Sequence, residues 1–300
     1  MFKPRLLGVL LVAASNVRRM ETLVSVSWLL DRLKSAGDGD SLRVVHASWA
    51  NCTDFEQAHI PGAVCFDGEQ CRDKASPYKN MLPSPHQFAQ YVGEKLGIEN
   101  GTEVVIYDSN EAHPTVIMAA RVWYMFRVFG HDRVRLLNGG LRAWKAADAS
   151  LTTETSQVAP KTFVPHFRPE LVLSFEQVLE KVAKRNEIQL LDARPEKFFK
   201  GLSDDPTGGG KLGHVRNALN LPFPLLVDNE TGLVRDQQQL SEVFHDAGVN
   251  LTGPLAVSCG TGMSATGLAL GAYLLGKETP VYDGSWFEWA RRAEDEYIEK

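Results

Sequence analysis

The chain reads as an α/β protein of two tandem domains, each a parallel sheet with helices on both faces. Three observations predict this: a length of 300 residues, strand-like runs that alternate with helical ones, and short phrases of the first half that return in order in the second. A chain of this length exceeds the usual single-domain size, and each half is long enough to bury a core of its own. Alternation of the two periodicities favours a parallel sheet whose strands are joined by helices.

Taken in order, Leu42 to Ala47, Val104 to Asp108 and Val134 to Leu137 are short β-branched or leucine-rich runs, whereas Gln87 to Leu96 and Thr115 to Phe129 carry helical apolar spacing. Ser84 followed by Pro85 is a helix start, because proline fits the first helical position and serine caps it. These elements fall in a first domain at 20–146. Residues 147–167, rich in Thr, Ser, Pro and Ala and without periodicity, are expected to link it to a second domain at 168–300. There Ser174 and Gln177 form a capping box for a helix to about Arg185. Gln189 to Asp192, Leu255 to Ser258 and Pro280 to Tyr282 read as strands, and Thr266 to Leu275 as a helix.

The repeated phrases align the halves. His59-Ile60-Pro61-Gly62-Ala63 answers His214-Val215-Arg216-Asn217-Ala218, and Val105-Ile106-Tyr107-Asp108 answers Ala256-Val257-Ser258-Cys259. Asn138-Gly139-Gly140 through Trp144 answers Asp283-Gly284-Ser285 through Trp289. Internal duplication accounts for the layout.

Composition narrows the function. With 44% apolar residues, 23% charged residues and a formal net charge of -5, the chain lacks the basic excess of a nucleic-acid binder, and neither nucleic acid nor membrane is expected as a partner. Residues 1–19 hold Lys3, Arg5, Arg18 and Arg19, no acid, and an apolar run from Leu6 to Ala14 too short to span a bilayer. They read as a targeting segment, a disordered terminus being the alternative. A mitochondrial or cytoplasmic location is expected, since a reactive thiol is best kept reduced. The alternative is the secretory pathway, to which four N-x-S/T sequons beginning at Asn51, Asn100, Asn229 and Asn250 point.

Of the four cysteines, Cys52, Cys65 and Cys71 are read as buried or idle thiols, a redox switch being the alternative. Their spacing matches neither a zinc motif nor a small-domain disulfide framework, so no metal is expected. Cys259 stands apart. A strand ending at Ser258 runs into Cys259-Gly260-Thr261-Gly262-Met263-Ser264-Ala265, after which a helix begins. The two glycines let the chain wrap tightly, so that backbone N–H groups and the positive end of the helix gather at the sulfur and favour a thiolate. The same cradle suits a persulfide, with hydroxyls from Thr261 and Ser264 adding to it. The other reading is a buried cysteine in a glycine-rich turn. At the matching place the first copy has Asp108, followed by Ser109, Asn110 and Glu111, which cannot accept sulfur.

The loop Cys259 to Ala265 resembles the C-G-S-G-V-T-A loop of the 3-mercaptopyruvate sulfurtransferases, a tandem-rhodanese family. The likeness runs from about Leu23 to Trp289 and includes Ser76-Pro77-Tyr78, Met81-Leu82-Pro83, Arg121-Val122-Trp123 and Asp283-Gly284-Ser285-Trp286. It implies two rhodanese folds, the first inactive, with sulfur carried on Cys259 near the domain interface. It also implies no cofactor, a small-molecule sulfur donor, a thiol, thioredoxin or cyanide acceptor, and a monomer or weak homodimer. The family's proton-handling positions fall here on Thr261, Glu69 and Asn80, of which Asn80 cannot exchange a proton. The arginines that bind substrate carboxylate in the family are missing: the first position is Phe198, and 207–211 has none. Lys200, Lys211 and Arg216 are the nearby candidate cations to stand in, solvated surface charge being the other reading, and Trp286 is placed to line the pocket. Thiosulfate sulfurtransferases usually carry Arg and Lys where Gly260 and Thr261 stand, so mercaptopyruvate is the expected donor. A non-catalytic interaction module is a further alternative. A phosphatase is disfavoured because Ala265 occupies the place of its phosphate-clamping arginine.

Overall fold

The structure is a computed structural model that describes residues 22–35, 41–49, 51–109 and 116–300. The targeting segment at 1–19, together with Asn110, Glu111 and Thr115, lies outside the described residues.

The first half contains β1 (Leu23–Val24), α1 (Val26–Ser35), β2 (Leu42–Ser48), α2 (Thr53–Gln57), β3 (Val64–Asp67), α3 (Pro85–Gln90), β4 (Glu103–Tyr107), α4 (Ile117–Val128), β5 (Val134–Leu137) and α5 (Gly140–Ala146). The second contains β6 (Val172–Leu173), α6 (Phe175–Val178), β7 (Gln189–Asp192), α7 (Glu196–Phe199), β8 (His214–Val215), β9 (Leu219–Asn220), α8 (Gln237–Asp246), β10 (Leu255–Ser258), α9 (Ala265–Leu274), β11 (Val281–Tyr282), α10 (Ser285–Arg292) and β12 (Ile298–Glu299). Two five-stranded sheets result, ordered β1-β5-β4-β2-β3 and β6-β11-β10-β7-β9, with every pairing parallel. The orders are the same once the halves are superposed in sequence, so β4 and β10 are equivalent strands.

These elements form where the side chains allow. All five residues of β4 and all four of β10 are buried, which suits strands covered by helices on both faces. Each large aliphatic side chain buried there contributes roughly 1.5–3 kcal/mol. Ser84 caps α3 and Ser174 caps α6, each with a reciprocal glutamine bond, and both helices widen into π turns, over Tyr91–Lys95 and Leu179–Lys184. His59 and His214 are twins as well: Nδ1 lies 2.8 Å from the carbonyl of Phe55 or Phe199, and the ring stacks on that phenylalanine at 3.6 Å.

One apolar cluster spans both sheets and includes α4 from the first half and α9 from the second. The near absence of charge in α9, Ala-Thr-Gly-Leu-Ala-Leu-Gly-Ala-Tyr-Leu, matches its burial on all sides. Gly267 is needed there because a Cβ would stand 2.1 Å from the Phe223 ring.

The cysteines require a correction. Cys52 and Cys65 are bonded to one another, with Cα atoms 6.2 Å apart, and are not idle thiols. Cys52 follows β2 in a left-handed turn at φ 61°, and this brings it to Cys65 on the neighbouring strand β3. Sequence separation gave no sign of that pairing. Cys71 and Cys259 are the free, buried thiols.

Candidate active site

Cys259 is the first residue past β10, which is paired on one side with β7 and on the other with β11. Its N–H donates to Ser285 Oγ at 3.1 Å, and its carbonyl accepts from Trp286 N at 2.9 Å. The Gly260 carbonyl accepts from Phe287 N at 2.9 Å, so the first turn of α10 holds the loop from behind. Gly262 turns the chain at φ 79°, where a Cβ would lie 2.6 Å from the Asp283 carbonyl oxygen. Among the described residues no main-chain acceptor takes the N–H of Gly260, Thr261, Gly262, Met263 or Ser264. Five N–H groups without a main-chain acceptor therefore stand in the loop between Cys259 and the N-terminal end of α9, an arrangement that suits a bound anion.

The loop forms one wall of a cavity of about 250 Å³. Cys259, Gly260, Thr261, Met263 and Ser264 line it, facing Arg194, Pro195, Phe198, Asp205, Pro206 and Thr207, with Ile117 entering from the first half. Arg194 is not a free cation. It pairs with Asp192 at 2.7 Å and Asp205 at 3.1 Å, donates to the Gly213 carbonyl at 2.9 Å and stacks on Trp286 at 4.5 Å. Burial alone would lower its pKa, but the two aspartates carry it above the ordinary value. A larger groove of about 560 Å³ lies elsewhere on the seam between the halves, but its wall holds no thiol and its Arg127 and Arg168 are both paired with Asp132.

The first half closes the site. Asn80 Nδ2 donates to Thr261 Oγ1 at 2.9 Å, across 181 positions of sequence. Lys79 Nζ donates to the Thr207 carbonyl at 3.2 Å and lies over the Phe287 ring at 5.1 Å. Arg121, 1% exposed, gathers three groups: the Asn80 carbonyl at 2.6 Å, the Gly262 carbonyl at 3.2 Å and the Asp283 carboxylate at 2.8 Å. The other Asp283 oxygen accepts from Leu82 N at 2.7 Å.

The expected site residues thus divide. Cys259, Gly260, Thr261, Met263 and Ser264 stand together at the cavity, Gly262 makes the turn, and Asn80 reaches Thr261. Glu69 does not join them, being paired with Arg72 at 2.8 Å on the rim of the first half. The three candidate cations also lie elsewhere. Lys200 pairs with Glu196, Lys211 bonds Asp295 at 2.7 Å and the Ala293 carbonyl at 2.8 Å, and Arg216 lies over Tyr297. None of the three lines the cavity. Trp286 is 2% exposed and sits behind the loop rather than in the cavity wall. Sequence reasoning assigned no role to Arg121, Arg194 or Lys79; the phrases Arg121-Val122-Trp123 and Asp192-Ala193-Arg194 carried a signal, and Lys79 carried none.

Fold and site define a duplicated α/β protein with one thiol-bearing loop and an aspartate at the matching place of the other copy. The chain belongs to the rhodanese family: the rhodanese-like domain model matches it twice, at residues 28–147 and 174–292. It is 39% identical over 284 residues to the human (Homo sapiens) 3-mercaptopyruvate sulfurtransferase, covering 92% of this chain and 94% of that protein. It is 42% identical over 282 residues to the thiosulfate sulfurtransferase of Rattus norvegicus, covering 91% and 93%. Among solved structures, SseA from Escherichia coli, described as a 3-mercaptopyruvate sulfotransferase, matches with a TM-score of 0.77 and 30% identity over 88% of this chain and 98% of that one. No helix among the described residues is long and apolar enough to cross a membrane.

Proposed function

We propose that the chain is a sulfurtransferase that carries sulfur on Cys259, taking it from 3-mercaptopyruvate and passing it to a thiol, to a dithiol protein of the thioredoxin type, or to cyanide. The observation that carries this reading is the placement of a free thiol, followed by five N–H groups without a main-chain acceptor, at the wall of a cavity of about 250 Å³. The Cys259 thiolate attacks the sulfur of the donor, the carbon–sulfur bond breaks, and its electron pair stays on carbon as the pyruvate enolate. Cys259 is left as a persulfide. The proton released when the persulfide ionises goes to the enolate, and pyruvate departs. Dividing the transfer into two steps is the gain from covalent catalysis. Loop amides bind the anionic terminal sulfur without reorganising.

Thr261 keeps its hydroxyl proton for the substrate, because its oxygen is occupied as acceptor by Asn80. Asn80 is a positioning group in this scheme, not a proton carrier. Lys79, exposed beside Thr207, is the cation at the cavity mouth that receives the donor's carboxylate. The enzyme works as a monomer or weak homodimer.

The test is steady-state transfer to cyanide with 3-mercaptopyruvate and with thiosulfate as donors. Turnover with 3-mercaptopyruvate is expected to exceed that with thiosulfate, and Cys259→Ser is expected to lose at least a thousandfold in kcat. Equal activity of that variant, or inactivity of the unmodified protein with both donors, defeats the proposal. The reading as a thiosulfate enzyme rests on the 42% identical relative; a reversed donor preference would favour it.

A further inference from the structure

Two unrelated features of the first half and the surface point to the same surroundings. Cys52 and Cys65 are half-buried, line a surface cavity of about 300 Å³ and are joined as a disulfide. Disulfides persist in oxidising compartments and are rare where thiol reductants are abundant. All four sequon asparagines, Asn51, Asn100, Asn229 and Asn250, are exposed. None of the four lines the Cys259 cavity.

The four differ in what holds the side chain. Asn100 is bound on both sides, Nδ2 to the Val164 carbonyl and Oδ1 to Val164 N, each at 2.8 Å. Asn250 Oδ1 accepts from Thr252 N at 3.0 Å and Thr252 Oγ1 at 2.7 Å. Asn51 and Asn229 stand on exposed turns, and no group among the described residues holds either amide. A branched sugar on these two would meet only solvent.

We propose that Asn51 and Asn229 are N-glycan acceptor sites and that the chain matures in an oxidising, glycosylating compartment where Cys52 and Cys65 join. Glycan transfer forms a bond from the asparagine Nδ2 to the anomeric carbon of a sugar, breaks that carbon's bond to a lipid-linked diphosphate, and releases one amide proton. Closing the disulfide removes two electrons and two protons from the thiols; a protein disulfide oxidant takes them and becomes a dithiol. The location differs from the mitochondrial or cytoplasmic one expected from the reactive thiol. Cys259 is compatible with it, being 2% exposed and without a second cysteine to pair with in the second half.

The full 300-residue chain, made in cells that perform N-glycosylation, is treated with a glycan-releasing amidase and mapped by mass spectrometry. The expected result is conversion of Asn51 and Asn229 to aspartate by the amidase, with one mobility step lost in each of Asn51→Gln and Asn229→Gln. Thr53→Ala and Thr231→Ala destroy the same sequons while keeping the asparagines, and the same steps must vanish. Alkylation of the unfolded chain without reductant is expected to label the free thiols Cys71 and Cys259 and to leave Cys52 and Cys65 unlabelled. Sulfur transfer, measured on the same preparation, reports separately on the chemistry at Cys259. Unmodified Asn51 or Asn229 in folded protein, or alkylation of Cys52 and Cys65 without reductant, overturns the proposal.

Discussion

The two copies place different residues at one backbone address. Asp108 and Cys259 each follow the equivalent strand, and each carbonyl accepts from an equivalent amide, Leu141 N at 3.0 Å and Trp286 N at 2.9 Å. Asp108 Oδ2 accepts from Ala119 N at 3.1 Å, so the carboxylate takes up a donor in the first turn of α4. Burial pushes its pKa up to about 6 against those hydrogen bonds. At this scale the cavity's weak point is charge. Arg194 is neutralised by two aspartates, which leaves Lys79 as the cation near the mouth. Lys79→Gln is expected to raise KM for 3-mercaptopyruvate about three- to tenfold at low ionic strength with kcat within twofold. Adding salt should narrow the difference, since an exposed charge is screened; an unchanged KM in both salts would refute the role. The glycine-flanked cysteine was legible in sequence because its residue types are unusual together. Lys79 was not, since one surface lysine among 32 basic residues carries no local signature until the fold sets it beside Thr207.

Helix α4 shows how an element carries a pH response. It ends on Gly130 and His131, whose N–H returns to the Phe126 carbonyl at 2.8 Å. The imidazole packs near Phe126 at 5.4 Å and Phe163 at 5.8 Å, and its Nε2 is buried without a partner. Burial lowers its pKa to about 4 from 6.5, because a proton on Nε2 would be stranded among aromatic rings. The unfolded chain therefore binds a proton that the folded chain refuses between pH 6.5 and 4. The stabilisation is fully present above pH 6.5 and is lost as pH falls toward 4, about 3 kcal/mol across the window. Asp108 acts oppositely: with its pKa raised from 3.8 to about 6, its contribution to the folded state is complete below pH 3.8 and is lost as pH rises toward 6. Asp108→Asn should expose the histidine effect: urea midpoints should climb steeply from pH 4 to 6.5, and His131→Phe in that background should flatten the climb. A slope unchanged by His131→Phe would contradict this origin. The long, fully buried strands and the capping boxes at Ser84 and Ser174 were readable in sequence, because their residues alone dictate them. The two-residue edge strands β1, β6 and β9 were not, since so few residues show no periodicity and form only by pairing.

On the scale of the whole molecule, the duplication readable from three phrases became two sheets of identical order, while the seam between them rests on pairings that local sequence does not encode. Arg121 is the central one, held in a nearly dry position against Asp283 while bridging the Asn80 and Gly262 carbonyls. Removing one partner of a buried ion pair leaves the other charge stranded, at a cost of about 3–5 kcal/mol. Arg121→Met is expected to lose that much stability by urea unfolding. The double variant Arg121→Met with Asp283→Asn should recover much of the stability yet keep a tenfold or larger deficit in kcat, because neither carbonyl regains its donor. Full recovery of both would show that the arginine serves only the charge. Asn80 could be aligned with Thr261 beforehand through the family pattern. The disulfide could not, because nothing in a 13-residue separation reveals that a left-handed turn closes it.

The bond from Asn80 to Thr261 joins the half that carries Asp108 to the half that carries Cys259. The first copy in effect supplies part of the enclosure around its sibling's sulfur. A severed C-terminal half is expected to keep its sulfur atom and to lose the side chain that steadies the Thr261 hydroxyl, so the doubling of the chain reaches the site through one bond across 181 positions.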